Sequence, residues 1–217
     1  MIPSRSREDE LFAAGHRVII AIDEVGRGAL AGPVSVSAAI FTGDLAQGPD
    51  GIKDSKLVSE KNRGPLAEAI RAWLPAVSVG ESSPQEIDSV GITKALGRAG
   101  ARALGQLSAW LDPSRFPVVL LDGHHDWLSA HLDYSLRVIT QVKADRDCLS
   151  VAASSLVAKV TRDRVMVEAD PRFPHYGFAS NKGYGSSGHM AAIEQYGPCE
   201  LHRMTWLRPT ELAIDEG

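Results

Sequence analysis

The stretch "VIIAIDEVGRGALAGPV", residues 18–34, decides how this chain is read. An apolar run ends in two adjacent acids, Asp23 and Glu24, and is followed at once by Gly26, Arg27 and Gly28. Residues 17–23 have the composition of a strand. So does 33–41, "PVSVSAAIF", which is rich in β-branched and small residues. Burying a carboxylate is costly unless it is paired or coordinated. A strand that runs into two carboxylates, then turns around a cation flanked by glycines, therefore asks for a chemical reason.

The whole chain bounds that reason. Its 217 residues suffice for one sizeable domain, or a domain with a small appendage. With 44% hydrophobic and 23% charged residues it has the make-up of a globular protein with a full core. No apolar run approaches the ~20 residues that span a bilayer. The opening "MIPSRSREDELFAAGHR" lacks the apolar centre of a signal peptide. Cys148 and Cys199 make no disulfide framework, so a reducing cytoplasm is the expected setting. A net charge of −4 argues against nucleic-acid binding through bulk charge. It leaves room for a local basic groove, since bound metal ions can dominate local charge.

Further elements follow along the chain. "KDSKLVSEKNRGPLAEAIRAWL" (53–74) reads as a basic loop leading into a helix capped by Ser59, with Leu66, Ile70, Trp73 and Leu74 at helical spacing. "PAVSVGE" is a third strand. Residues 83–111 open with Ser83, Pro84 and Glu86, a capping-box spacing with proline at the first helical position. Ile92, Leu96, Ala99, Ala103 and Leu107 continue one apolar face of that helix. Residues 117–122 form a continuous apolar strand, buried on both faces. "LRVITQVKAD" is a strand ending at Asp145, and "LSVAASSLVAKVTRDRVMVEA" (149–169) is a helix of small residues. A Pro/Gly-containing linker is expected at 170–185, then a short helix near 187–196 and an irregular tail. The order predicts an α/β fold: a mixed β-sheet flanked by helices, with a small helical C-terminal extension. The expected division is a catalytic domain over 16–169 and a helical C-terminal region over 170–217.

Three strands in this reading end in acids, at Asp23-Glu24, Asp122 and Asp145. Ligand-binding residues of sheet proteins favour strand ends. If the strands are neighbours, the carboxylates meet, and like charges raise each other's pKa unless a cation intervenes. Oxygen-only ligands suit Mg²⁺ or Mn²⁺. Two such ions ~3.5–4 Å apart serve in-line phosphodiester cleavage. An acid at a strand end is also a common turn residue or helix cap. Spacing alone leaves both readings open.

The motifs resemble those of bacterial ribonuclease HII over residues 17–206. "DEVGRG" (23–28) is similar to its Asp-Glu-X-Gly-Arg-Gly signature, "KDSKLVSEKNR" (53–63) to its Asp-Ser-Lys segment, and "LLDG" (120–123) to its third-acid strand. "KADRDCLSVAASSLVAKVTRDRVM" (143–166), "NKGYGSSGH" (181–189) and "YGPCELHRMTW" (196–206) resemble three further blocks, in the family's order. The resemblance implies an RNase H-like fold and hydrolysis, with two divalent ions, of RNA paired with DNA or of ribonucleotides embedded in duplex DNA. It implies a cut on the 5′ side of the ribonucleotide, giving 3′-hydroxyl and 5′-phosphate ends. Asp23, Glu24, Asp122 and Asp145 then hold the metal.

Gly26, Arg27 and Gly28 become a close-approach turn whose backbone bonds a ribose 2′-hydroxyl, the group that marks RNA. Arg27 holds a phosphate through its planar fork. Taken alone, Gly-Arg-Gly is a tight turn with a solvated cation. Tyr184, between two glycines, packs on the deoxyribose at a DNA–RNA junction; an ordinary core tyrosine is the alternative. Lys53, Lys56, Lys159, Arg162 and Lys182 are candidate phosphate contacts, and Ser55 and Ser155 candidate donors. Each lysine or arginine could equally sit on a solvated face. Asp163 is expected in a structural ion pair.

Some residues depart from the pattern. Ala144 stands where the family has glycine, Asp147 is a spare carboxylate, and Thr205-Trp206 replaces Ser-Phe. The segment 123–142, with His124, His125, Asp126 and His131, is expected to be an exposed hairpin loop rather than a zinc site. The rival readings are ribonuclease HIII, a non-catalytic nucleic-acid-binding module, and a nuclease for other DNA structures. Arg27 and the short segment before Asp23 favour HII over HIII, and four clustered acids suit no pure binder of a polyanion. A monomer is expected. Recruitment by a sliding clamp or polymerase is not legible in the sequence.

Overall fold

Strand β1 (Val18–Val25) is the middle of a five-stranded sheet. It pairs antiparallel with β2 (Val34–Thr42), and β2 pairs antiparallel with β3 (Val77–Ser82). On its other side β1 runs parallel to β4 (Val118–Asp122), and β4 parallel to β5 (Arg137–Gln141). The sheet order is β3-β2-β1-β4-β5, a mixed sheet as the sequence predicts. The structure is a computed structural model and describes residues 2–207.

Helices cover both faces. In chain order they are α1 (Ser6–Ala13), α2 (Glu60–Trp73), α3 (Pro84–Val90), α4 (Ile92–Gly105), α5 (Ala144–Asp147), α6 (Leu149–Ala169), α7 (Phe178–Asn181), α8 (Ser187–Tyr196) and α9 (Met204–Leu207). Successive strand side chains point to opposite faces. Ile19, Ala21, Val118 and Leu120 therefore share one core with Val151, Ala152 and Leu156 of α6 and Ile70 of α2. Ile20, Ile22, Val119 and Leu121 share the other with Leu96, Ala99 and Leu104 of α4. Each fully buried Ile or Leu contributes roughly 1.5–3 kcal/mol. A one-residue slip of β1 would move its acids to the wrong face, so these two cores lock the register.

Several local readings hold. Ser83 Oγ accepts from Glu86 N at 3.2 Å and Glu86 Oε2 accepts from Ser83 N at 3.0 Å, completing the capping box. α6 spans the segment read as a helix of small residues, and α8 matches the short C-terminal helix.

Others are corrected. Residues 83–111 form no single helix: Gly91, at φ +80°, breaks α3 from α4, and α4 ends at Gly105. Ser59 occupies the N-cap of α2 without a side-chain capping bond. Strand β5 stops at Gln141, and Asp145 lies on α5. The segment 123–142 is not a hairpin, because the strands it joins are parallel and a tight turn cannot connect parallel strands. Nor is it wholly exposed, since Trp127 and Leu128 are buried against α4. Helix α1 was not legible: its Glu8 is fully buried and accepts from Ser150 N at 2.7 Å, satisfying a free donor at the start of α6. Within 170–185, Tyr176 and Phe178 are buried with Ala31, Met166 and Ala192 in a third core. That packing ties the C-terminal region to α6 and to the connection between β1 and β2.

Candidate active site

The parallel pairing of β1 with β4 brings the acids together. Ile22 pairs with Leu121, so the next step of each strand sets Asp23 beside Asp122. Both lie on the α6 face. Lys143, at φ +60°, turns the chain after β5 into α5, which places Asp145 nearby. The backbone N–H groups of Ala144 and Asp145 donate to Asp122 Oδ1 at 2.6 and 3.4 Å. Ala144 is helical, and the left-handed residue is Lys143, so the lack of glycine at 144 costs no strain. Asp147 is exposed and does not line the cavity described next.

A cavity of about 510 Å³ is lined by Asp23, Glu24, Gly26, Arg27, Gly28, Ser55, Lys56, Asp122, Asp145, Ser155, Lys159 and Tyr184, with Val25 between them. Nearly every residue singled out from the sequence meets here. Lys53 does not; it lines a neighbouring groove with Asp50, Ser59 and Asn62. Two other candidates are displaced. Arg162 is fully buried and donates to the carbonyls of Pro33, Lys182 and Ala31 at 2.8, 2.9 and 3.0 Å, leaving no hand for a phosphate. Lys182 is buried, bonded to the Ala179 carbonyl and to Glu60 at 3.2 Å. Asp163 pairs with Lys159 at 2.8 Å, the structural ion pair expected of it. Tyr184 is no core residue; it is 36% exposed on the cavity wall.

The electrostatics follow from crowding. Burial, then Glu24, Asp122 and Asp145 in turn, push the Asp23 carboxyl well above the usual range, while Ser155 acts in the opposite sense. Burial also raises Glu24, against the pull of Arg27, whose Nη1 lies 3.3 Å from Glu24 Oε1. Asp145 is raised by burial and then by Asp122 and Asp54, with Lys56 opposing. Among the described residues no group of three or more His, Cys, Asp or Glu side chains is close enough to hold an ion as it stands. The donor set nonetheless fits a hard cation. It is all oxygen, its charges repel, and Glu24 Oε2 is buried without a hydrogen-bond partner.

The turn beside the acids is held from behind. Gly26 sits at φ +81°, where a side chain would also strike Arg162. Gly28 faces open space, with nothing near where a side chain would start. Residues missed by the sequence reading lie beneath this turn. Arg203 is fully buried, as are His189 and His202 to within 1%. Both histidines and the arginine belong to the motif blocks at 181–189 and 196–206, but nothing in the blocks says what they touch.

A family model described as Ribonuclease HII matches residues 20–209. The Ribonuclease HII of Streptomyces avermitilis is 45% identical over 205 residues, covering 94% of this chain and 83% of that protein. That of Geobacter metallireducens is 42% identical, covering 88% and 84%. Among solved structures, the PCNA:RNase HII complex from Archaeoglobus fulgidus contains a chain with a TM-score of 0.70 and 28% identity, covering 90% of this chain and 98% of that one.

Proposed function

This chain belongs to the ribonuclease HII family, and from that premise we propose how its cavity selects and cuts its substrate. As a member of the family it is a metal-dependent endoribonuclease acting on RNA–DNA hybrids. In our reading Asp23, Glu24, Asp122 and Asp145 hold two divalent ions, Mg²⁺ or Mn²⁺. When bound, such ions supply an activated water and stabilise the leaving oxygen of an in-line displacement. Asp23, Glu24 and Asp122 hold their places because β1 and β4 are buried strands, a rigid mount of the kind preorganised catalysis needs, and Asp145 is set beside them by α5.

The rest of the cavity reads the strand. The Gly26-Arg27-Gly28 turn offers backbone groups to a 2′-hydroxyl, and open space at Gly28 admits the sugar. Arg27, its side chain 54% exposed, takes the adjacent phosphate. Lys56, Ser55, Ser155 and Lys159 line the same cavity and hold neighbouring phosphates. Lys53 serves a phosphate farther along the strand. Tyr184 packs against the deoxyribose at the junction, where a 2′-hydroxyl would crowd its ring. In this reading the C-terminal region 170–217, of which 208–217 lie outside the described residues, contributes to substrate binding through Tyr184, and the cut falls 5′ of the ribonucleotide, leaving 3′-hydroxyl and 5′-phosphate ends. The setting is the reducing cytoplasm, which suits the free Cys148 and Cys199. Among the described residues no helix is long and apolar enough to cross a membrane. We expect a monomer; the PCNA:RNase HII complex from Archaeoglobus fulgidus supports association with a sliding clamp.

The observation that carries this reading is the convergence of four carboxylates, the Gly-Arg-Gly turn and Tyr184 on one cavity. The test is an end-labelled DNA duplex with one ribonucleotide, incubated with Mg²⁺ or Mn²⁺ beside an all-DNA duplex and the Asp23→Asn variant. A single metal-dependent cut 5′ of the ribonucleotide, absent in the variant, is expected. Cleavage of long hybrids only would remove the junction-reading role. Binding without cleavage under either metal would mean the carboxylates are wrongly assigned.

A further inference from the structure

Two buried cations lie behind the cavity without a carboxylate partner. Arg162 and Arg203 are fully buried, and neither enters an ion pair among the described residues. Their charge is met by backbone carbonyls instead. Arg203 donates from Nη2 to Gly26 O at 2.6 Å, from Nη1 to Arg27 O at 2.9 Å, and from Nη2 and Nε to Gly32 O at 3.2 and 3.3 Å. A planar fork can fix several carbonyls in one arrangement, which a lysine cannot. The carbonyls it fixes belong to the turn that faces the cavity. With those carbonyls held inward, the orientation of the peptide planes in the turn is set.

The neighbouring residue reaches the other side of the cavity. Cys199 N donates to His202 Nδ1 at 2.9 Å, the shorter of that nitrogen's two backbone contacts. The proton of neutral His202 is thereby assigned to Nε2, which lies 3.0 Å from His189 Nε2. His189 then accepts there and donates from Nδ1 to Tyr184 O at 2.8 Å. The chain of bonds is satisfied when both rings are neutral. A second link runs between the two sides: Leu30 N and Ala31 N donate to Gly183 O at 2.8 and 3.1 Å, and Arg203 N donates to Leu30 O at 2.9 Å.

We propose that the dipeptide His202-Arg203 is a two-armed brace that sets the spacing and orientation of the Gly26-Arg27-Gly28 turn relative to Tyr184, and so determines the preference for a ribose–deoxyribose junction. Arg203 is the arm to the turn. His202, through His189, is the arm to Tyr184. Neither side chain lines the cavity, so both are positioning residues. The inference rests on the junction reading proposed above for the turn and Tyr184.

The test compares wild type, Arg203→Lys, His202→Phe and Tyr184→Ala on two duplexes of one sequence. One carries a single ribonucleotide in DNA; the other pairs a full RNA strand with DNA. The readout is the ratio of kcat/KM on the first to kcat/KM on the second. Inactive protein lowers both values equally and cancels in the ratio, so a destabilised variant still reports. Arg203→Lys keeps the charge but loses the fork, and His202→Phe keeps a ring but loses both bonds. Each is expected to lower the ratio by roughly ten- to a hundred-fold, the scale set by misplacements on the order of 1 Å. Proportionate loss on both substrates, or a ratio moved by one brace variant alone, overturns the two-armed brace. If Tyr184→Ala leaves the ratio at its wild-type value, the junction reading itself fails. If Tyr184→Ala shifts it and the brace variants do not, only the brace fails.

Discussion

Arg203 Nη2 donates to the carbonyl of Gly26 at 2.6 Å across 177 positions of chain. The bond joins the far end of the described chain to the turn that follows its first strand. It is buried, and the same guanidinium also holds Arg27 O and Gly32 O. The cavity-lining turn is thus supported from beneath by a residue that never reaches the cavity. Such support matters because catalysis and selectivity depend on groups held close to their productive geometry before substrate arrives.

The two glycines of the turn should respond differently to a methyl group. Gly26→Ala meets both a positive φ and the Arg162 side chain, and should lower stability by about 2 kcal/mol or more. Gly28→Ala meets neither, and its stability should stay within about 1 kcal/mol of wild type. The new methyl at 28 should instead raise KM, since it projects into the open space that the proposed reading gives to the sugar. Urea unfolding and steady-state kinetics on the two variants separate these effects. Equal loss of stability in both would show that the turn is not held as described.

Asp23→Asn should abolish cleavage while sparing the fold. With Asp23 holding metal as proposed above, its loss removes several kcal/mol of transition-state stabilisation, a rate decrease of about a thousandfold or more. The same change relieves burial of a carboxylate among three others, so the metal-free variant should melt higher than metal-free wild type. Adding Mn²⁺ should raise the melting temperature of wild type and leave the variant nearly unmoved. A variant that melts lower than wild type without metal would contradict the repulsion inferred here.

Binding should weaken steeply with salt, and the slope should name the residues in contact. Lys56→Ala and Lys159→Ala should each reduce the dependence of log affinity on log salt by about one unit. Lys182→Ala should leave that slope unchanged, because Lys182 is buried and, unlike Lys56 and Lys159, does not line the cavity. It should show instead as a loss of stability. Titrating a cleavage-deficient protein with labelled hybrid at several salt concentrations measures all three.

His202 gives the protein an acid-sensitive element. Burial, then the neighbouring His189, push its pKa down to about 4, below the ordinary value of 6.5. A group depressed on folding binds fewer protons in the native state than in the unfolded one. Its stabilising effect is therefore full above pH 6.5 and is lost progressively as pH falls toward 4, by on the order of 2–3 kcal/mol. Below pH 4 no further loss comes from this group. His202→Phe should flatten that part of the pH–stability curve, whatever its effect on stability at neutral pH. An unchanged slope in the variant would assign the acid sensitivity elsewhere.

The sequence alone determined what depends on near neighbours in the chain. Strand alternation in β1 and β2, the capping box at Ser83-Glu86 and the bounds of α6 are short-range patterns of side-chain size and hydrogen bonding, and they are legible as such. The four acids and the Gly-Arg-Gly turn were legible as motifs for the same reason. The break at Gly91 was local too, but a glycine in a helical pattern reads equally as tolerated or as a stop until its φ is known. What only the tertiary structure decided is which distant groups meet. The parallel pairing of β4 with β5 turned an expected hairpin into a packed crossover and left Asp145 on a helix. Arg162 and Lys182 read as phosphate ligands because a cation is usually solvated; Arg162 is claimed instead by the carbonyls of Pro33, Ala31 and Lys182 on other segments, and Lys182 by Glu60 of α2 together with the nearby Ala179 carbonyl. Arg203 and the His189–His202 pair lie in legible motif blocks whose residues do not say what they touch, since a buried polar side chain is explained only by the partners that satisfy it, and here those partners are brought within reach by the fold.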